Sequence, residues 1–435
     1  MSTIPDVRLS SLVREHIAGP SPIRQIMKLA ERRTISALGL DPDAVISFGG
    51  GWVNHAAPEP LRQAYEEVVA DATLFHRSGG YTATLGELEC REQLANFEEH
   101  LFGVPRLGPE HIAIGAGSTQ LTHDLFRTLL DPGDTVMLLD PTYAAYEGQL
   151  AFAAPGTRIV RLPVVDARTW TYRPHTEPDS VLAEFHRLFD LYQPRLVLFG
   201  APDNPTSQLV PQALADAMAE RTAASGAWLA IDFAYRCQCF ETPPAYFAWS
   251  PADQPHVIGI HSNSKWGRGL GRRLGWLVAA PQVIDGLERV QQYSILCPDT
   301  LSQMALARYV RRALADGSLR AYVQRVNELY QAAARATIEA LDEHVQRPCL
   351  VPAGGLYTVV DVGVDPDAFV PRALRATGVL VVSARAFGPS LATGIRISYG
   401  PLVMTPDTIR EGIARLGRWL RARPEAEAET DAAEF

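Results

Sequence analysis

The stretch Val257-Ile-Gly-Ile-His-Ser262-Asn-Ser264-Lys265-Trp-Gly-Arg-Gly-Leu-Gly-Arg-Arg273-Leu-Gly275 runs an apolar strand straight into a lysine, then into a loop crowded with glycine and arginine. An amine beside other cations gives up its proton more readily, which suits it to condense with an aldehyde. Ser262 and Ser264, with an arginine further on, are groups that hold a phosphate. Taken by itself the pattern equally describes a surface lysine after a buried strand. The flanking sequence decides between them.

Upstream, short apolar runs alternate with helical patterns from His111 onward. Strands are expected at 111–115, 135–139, 157–162, 195–199, 228–232, 257–261 and 274–279, and helices at 120–130, 144–153, 179–191 and 211–224. Strands that are apolar throughout and separated by helices indicate a mostly parallel sheet covered on both faces. Ligands of such sheets sit beyond the carboxyl ends of the strands.

The polar motifs fall at those ends. Gly115-Ala-Gly117-Ser118-Thr119-Gln120 joins a strand to a helix, where free amides and two hydroxyls favour an anion. Asp140-Pro-Thr-Tyr143 sets an aromatic ring at the sheet edge; it stacks on a planar ligand or simply packs. Asn204 lies in Gly200-Ala-Pro-Asp-Asn-Pro-Thr-Ser207 and offers an amide next to a proline. Asp232 ends a buried strand and needs a cation or donors, whether a protonated ring nitrogen or a structural arginine. Tyr235 follows it.

Before residue 111 the sequence predicts a helix over 23–38, the glycine run Phe48-Gly-Gly50-Gly51, a helix over 60–72 and another over 87–102. After Asp299 it predicts helices over 301–315 and 319–343, strands over 356–362, 379–383 and 394–399, and a helix over 405–421. This divides the chain into a segment 1–55 that joins a small domain, a large domain over 56–300, a small α+β domain over 301–422, and a disordered acidic tail over 423–435.

Composition narrows the function classes. The 435 residues carry 40 basic and 49 acidic side chains, net −9, which gives no electrostatic case for nucleic acid. Five cysteines, an odd number without framework spacing, suit a reducing, cytoplasmic setting, and Cys237-Gln-Cys239 lacks a second pair for a metal. No apolar stretch approaches a membrane span, and Met1–Ser10 lacks the pattern of a signal peptide.

In order, G-x-G-S-T, LDPGD, D-P-T-Y, N-P-T-S, D-x-x-Y, S-x-S-K and R-x-S-Y resemble the pyridoxal-5′-phosphate enzymes of the aspartate aminotransferase fold (fold type I, class I/II aminotransferases). Pro22-Ile-Arg and Ile46-Ser-Phe-Gly-Gly-Gly look most like the aminoadipate- and kynurenine-type branch. The resemblance implies an α/β fold, with a large domain on a mostly parallel seven-stranded sheet and a smaller α+β domain. It implies pyridoxal 5′-phosphate as cofactor, an amino acid as donor, a 2-keto acid as acceptor, and a homodimer with shared sites.

Carried over by position, Lys265 is the lysine that forms the Schiff base and moves the Cα proton. Asp232 partners the ring nitrogen, Asn204 and Tyr235 bind the ring oxygen, and Tyr143 stacks on the ring. Gly117, Ser118, Thr119, Ser262, Ser264 and an arginine, Arg273 by its place before Leu-Gly-Trp with Arg272 the alternative, form the phosphate cup, which Tyr81 of a neighbouring subunit completes. Arg396 clamps the substrate carboxylate with the backbone at Gly50 and Gly51 and the amide of Asn204.

The chain departs from that pattern at Trp52-Val-Asn-His55, at Arg236-Cys-Gln-Cys, and in its extra Arg268 and Arg272. Those arginines read either as partners for extra anionic groups on the substrate or as solvent-facing side chains. The departures leave a second reading, a non-transaminating relative from natural-product (for instance antibiotic) biosynthesis that eliminates, decarboxylates or oxidises. A third reading is a pyridoxal-binding regulator, which carries a basic DNA-binding module ahead of the fold. A first helix expected from residue 23 leaves no room for that module.

Overall fold

The computed structural model describes residues 10–16, 24 and 28–422. The expected acidic tail, Pro22 and Ile23, and the start of the helix expected from Ile23 lie outside the described residues.

The chain first enters a sheet at β1 (Ile46–Ser47). Further on come β2 (Ile112–Gly115), β3 (Thr135–Asp140) and β4 (Arg158–Pro163), a small hairpin of β5 (Val165–Asp166) and β6 (Thr171–Tyr172), then β7 (Leu196–Gly200), β8 (Trp228–Asp232), β9 (Val257–Ser262) and β10 (Gly275–Val278). The seven expected strands form one sheet in the order β2-β10-β9-β8-β7-β3-β4. Only β10 runs against its neighbours.

Both faces of this sheet are covered, which is why its strands lack an alternating pattern. Val136 and Leu138 of β3 join one apolar cluster, while Met137 and Leu139 join another on the opposite face. β7 divides the same way, Leu196 and Leu198 against Val197 and Phe199.

Register positions the functional ends. Gly200 pairs with Asp232, and Asp232 with Ile260, so the polar segments after β7, β8 and β9 emerge side by side. Gly275 opens β10 between Ser262 and Gly115. That pairing draws the lysine loop and the Gly117 turn together.

The C-terminal part begins with helices Thr300–Ala315 and Ser318–His344. β11 (Tyr357–Asp361), β12 (Val379–Leu380), β13 (Val382–Ser383) and β14 (Gly394–Ser398) follow. The expected strand over 379–383 is broken at Val381, because β12 pairs with β1 while β13 pairs with β14. Ile46 thus lies opposite Val379, tying the early chain to its far end. Ser390 Oγ donates to Asp140 Oδ2 at 2.7 Å and Thr142 N to Phe387 O at 2.8 Å, which fastens this part to the loop carrying Tyr143.

The helix expected over 60–72 is two helices. Glu59–Ala70 ends, and the Asp71 carboxylate caps Ala72–Ser78 by accepting from Thr73 N and Leu74 N at 2.8 and 2.9 Å. Helices Pro281–Ser294 and Pro366–Thr377 are additions to the expected set. Pro366 opens the latter in its first turn, where a missing N–H costs little, and Pro371 lies inside the helix, which continues through it. Among the described residues no helix is long and apolar enough to cross a membrane.

Beneath β8 and β9 a charge cluster is fully buried. Arg236 forms an ion pair with Glu98, which also accepts from Trp276 Nε1 at 3.0 Å. The guanidinium lies 3.6 Å from the centre of the Phe102 ring. Glu98 is completely inaccessible, so removing its carboxylate strands a buried cation. Glu98→Ala is expected to cost about 3–5 kcal/mol, read as a lowered urea midpoint of the apoprotein. An unshifted midpoint would show that the cluster contributes nothing to stability.

Candidate active site

The carboxyl ends of the parallel strands open into a cavity of about 300 Å3. Its floor is built from the strand ends. β9 ends at Ser262, and the loop beyond it carries Ser264, whose hydroxyl oxygen is 2.8 Å from that of Ser262, and then Lys265. β8 delivers Asp232, Ala234 and Tyr235, and the turn after β7 delivers Asp203 and Asn204. The opposite wall comes from Gly49–Trp52, Tyr357 of β11 and Arg396 of β14.

Lys265 donates from Nζ to Gly51 O at 2.5 Å. Burial pushes its pKa down to about 8, helped by the positive charges of Arg396 and Arg273, while Asp232 opposes the shift. A substantial share of this amine is therefore neutral near physiological pH.

Asp232 accepts from Tyr146 Oη at 2.6 Å and from Ala234 N at 2.9 Å. Burial raises its pKa in spite of these donors and of the nearby Lys265. A carboxylate in that state is stabilised by any cation placed against it.

At the other end of the cavity, helix Ser118–Leu129 begins at Gly117, whose φ of +83° favours glycine. A Cβ on Gly117 would stand 2.6 Å from Arg273 Nη2, and a Cβ on Gly275 would stand 2.8 Å from Ser118 N. Arg273 Nη1 donates to Leu270 O at 2.9 Å and Nη2 to Ala116 O at 3.4 Å, so the guanidinium rests against the turn before the helix start. Ser118, Thr119, Ser262, Ser264 and Arg273 all line this end. A helix N-terminus, hydroxyls and a guanidinium converging in one place fit a phosphate.

Arg396 is only 2% exposed. It donates from Nη1 to Asn204 Oδ1 at 2.9 Å and from Nη2 to Gly49 O at 3.1 Å, and its Nε has no partner. The rings of Tyr357 and Phe387 lie 4.3 and 4.8 Å from the guanidinium carbon. Burial lowers the Arg396 pKa, against the nearby tyrosines. A buried guanidinium with an orphaned donor fits a small carboxylate.

Of the residues singled out in the sequence, the cavity brings together Gly50, Gly51, Ser118, Thr119, Tyr143, Asn204, Asp232, Tyr235, Ser262, Ser264, Lys265, Arg273 and Arg396. Gly117 caps the adjoining helix. Tyr81 does not line it and is 86% exposed. Carbonyls of the glycine run, at Gly49 and Gly51, take hydrogen bonds from Arg396 and Lys265. Arg268 and Arg272 lie outside the lining: Arg268 donates to His55 O at 2.9 Å, and Arg272 sits 5.3 Å over the Tyr65 ring.

Sequence reasoning missed Tyr146, Tyr357, Asp203 and Trp52. Tyr146 carried a signal, since it stands three residues after Tyr143 in the first turn of helix Ala145–Ala153. Tyr357, whose hydroxyl is 2.7 Å from that of Tyr235, comes from a distant strand and carried none.

A lysine with a lowered pKa, set between a buried carboxylate, an anion cradle and a buried arginine, is equipped for chemistry at the α-carbon of an amino acid. Known proteins with the same design transfer amino groups. The chain belongs to the aminotransferase class I and II family, whose model matches residues 44–416 and whose members use pyridoxal 5′-phosphate. It is accordingly a transferase. It is 26% identical to arginine–pyruvate transaminase of Pseudomonas aeruginosa over 82% of this chain and 86% of that protein. It is 27% identical to 2-aminoadipate transaminase of Thermus thermophilus over 92% of this chain and 94% of that protein. Aspartate aminotransferase of Thermus thermophilus, solved with maleate, superposes with a TM-score of 0.79 at 24% identity, covering 95% of this chain and 99% of that one.

The lowered Lys265 pKa gives a pH dependence. The neutral fraction of an amine with a pKa near 8 rises about tenfold between pH 7 and pH 9 and then levels off. Formation of a borohydride-trappable aldehyde adduct at Lys265 in the apoprotein is expected to follow that curve. A rate still climbing steeply at pH 10 would show an ordinary exposed lysine.

Proposed function

We propose that this chain works as a homodimeric, pyridoxal 5′-phosphate-dependent aminotransferase that moves an amino group from an amino acid to a 2-keto acid. The observation that carries the reading is Lys265, a lysine of lowered pKa with its amine 2.5 Å from Gly51 O, on the wall of a cavity that also holds Asp232 and Arg396.

The residues present fit the cofactor. Ser118, Thr119, Ser262, Ser264 and Arg273, with the amides after Gly117, would hold its phosphate; Asp232 would face its ring nitrogen; Tyr143 would cover its ring; Asn204 and Tyr235 would reach its ring oxygen; and Lys265 would bind it covalently. When bound, it supplies an electron sink for the pair released at Cα and carries the amino group between half-reactions.

The chain's own residues do the rest. Arg396 receives the α-carboxylate and so fixes which Cα bond faces Lys265. Lys265, its pKa lowered by desolvation and by two nearby arginines, takes the Cα proton in its neutral form. Asp232 stays buried, its carboxylate held by hydrogen bonds from Tyr146 Oη and Ala234 N. Tyr235, with Tyr357 against its hydroxyl, lies beside the reacting amine, its ring 5.4 Å from Lys265 Nζ.

The dimer is supported by exposed apolar side chains on the segments around Tyr81. Phe75 is 54%, Leu88 55% and Tyr293 88% exposed in the single chain. The division into 56–300 and 301–422, with 1–55 joining the latter, is supported by the two separate sheets and by the pairing of β1 with β12.

The test is to add amino acids singly, without keto acid, to the purified holoenzyme and follow its visible spectrum. Conversion of the cofactor to its aminated form, reversed by a keto acid, is expected. Release of ammonia or carbon dioxide with the original spectrum retained would instead place the chain among the non-transaminating relatives. Arg396→Lys keeps the charge but loses the planar fork, so KM for the donor is expected to rise about 10- to 100-fold with a smaller effect on kcat. An unchanged KM would remove Arg396 from the carboxylate site.

A further inference from the structure

Trp52 has no part in the roles above, yet it occupies a defined place. The glycine ribbon before it is pinned at both ends, Gly49 O accepting from Arg396 Nη2 and Gly51 O from Lys265 Nζ. Gly50 therefore lies between the group that holds a carboxylate and the amine that works at the neighbouring carbon. The indole folds back onto that midpoint: a Cβ on Gly50 would stand 1.8 Å from Trp52 Cζ3. The close approach suits glycine at 50, and the ring lies against that residue. Although it lines the cavity, Trp52 remains 36% exposed, so an aromatic surface is left for something else to cover.

Apart from Lys265 and Arg396, the latter assigned to the α-carboxylate, the charged side chains of the lining are already engaged. Asp232 is held by Tyr146, Asp203 accepts from Thr206 Oγ1 at 2.9 Å, and Arg273 donates to Leu270 O and Ala116 O. Arg268 donates from Nη2 to Asn54 Oδ1 at 3.2 Å, away from the cavity. Leu270 adds a second apolar wall. A charged substrate side chain placed here would lose hydration without gaining an uncommitted partner among the described residues of the lining. An apolar ring would gain both buried area and an aromatic contact.

We propose that Trp52 reads the substrate side chain and that the amino donor carries an aromatic or bulky apolar one. The inference rests on the placement of the α-carboxylate at Arg396 made above.

3-Phenylpropanoate has the carboxylate and the ring but no amine, so it reports binding without turnover. In calorimetric titration of the holoenzyme it is expected to bind at least about tenfold more tightly than succinate or 5-aminopentanoate. Trp52→Ala is expected to weaken it about tenfold and Trp52→Phe less than about threefold, while butanoate changes less than about twofold in both variants. Retained butanoate binding also shows that the variants are folded. Tighter binding of succinate or 5-aminopentanoate than of 3-phenylpropanoate overturns the proposal, as does a Trp52→Ala loss of equal size for butanoate and 3-phenylpropanoate. If no carboxylate competes for the site, the Arg396 placement falls and the proposal with it. The aminotransferase reading fails separately, when no amino acid converts the cofactor.

Discussion

Gly275 stands where a side chain has no room. It is hydrogen-bonded into the sheet between Gly115 and Ser262, and a Cβ there would press to 2.8 Å on both His261 O and Ser118 N. The one antiparallel strand of the seven-stranded sheet can start here only because this residue is bare. From that contact follow the closeness of the lysine loop to the helix at Ser118, the seat of Arg273, and the shape of the anion cradle. The charge chemistry of the site is thus set by a backbone approach, not by the charged residues themselves.

Those charges tune one another through their burial. Lys265, Arg396 and Arg273 share one cavity, and each cation makes the lysine easier to deprotonate. Asp232 pulls the other way and is itself raised by desolvation. Asp203 lies in the same lining and is pushed up to about 7, mainly by burial, with the Asp232 charge adding to it. The site therefore favours neutral groups while empty of charge partners, and it gains most from a ligand that brings both a cation and anions.

The parallel sheet was legible because its strands are buried on both faces and read as unbroken apolar runs between helices. The polar residues after each run were legible for the same reason, since a polar motif at the end of a buried strand has few places to go. Tyr357 and Trp52 were not. Their positions depend on how β11 and the glycine ribbon dock across the cavity, a long-range result with no local periodicity. The same limit explains the split of 379–383 between two partners, because an apolar run does not record which strands it will pair with. Arg236 stood out as a departure, and its partner Glu98 lies 138 positions away in a helix where a glutamate is unremarkable.

The bond between Arg396 and Gly49 closes across 347 positions of sequence. A nascent chain leaving the ribosome therefore carries its lysine, carboxylate and phosphate cradle long before it owns a complete site. Until β14 has been made, the glycine ribbon has no arginine to hold it and β1 no β12 to pair with. The early chain must wait with an unpaired strand edge and an unfilled apolar flank, the condition that invites chaperones. Function in this architecture arrives in one step, once β14 has been made.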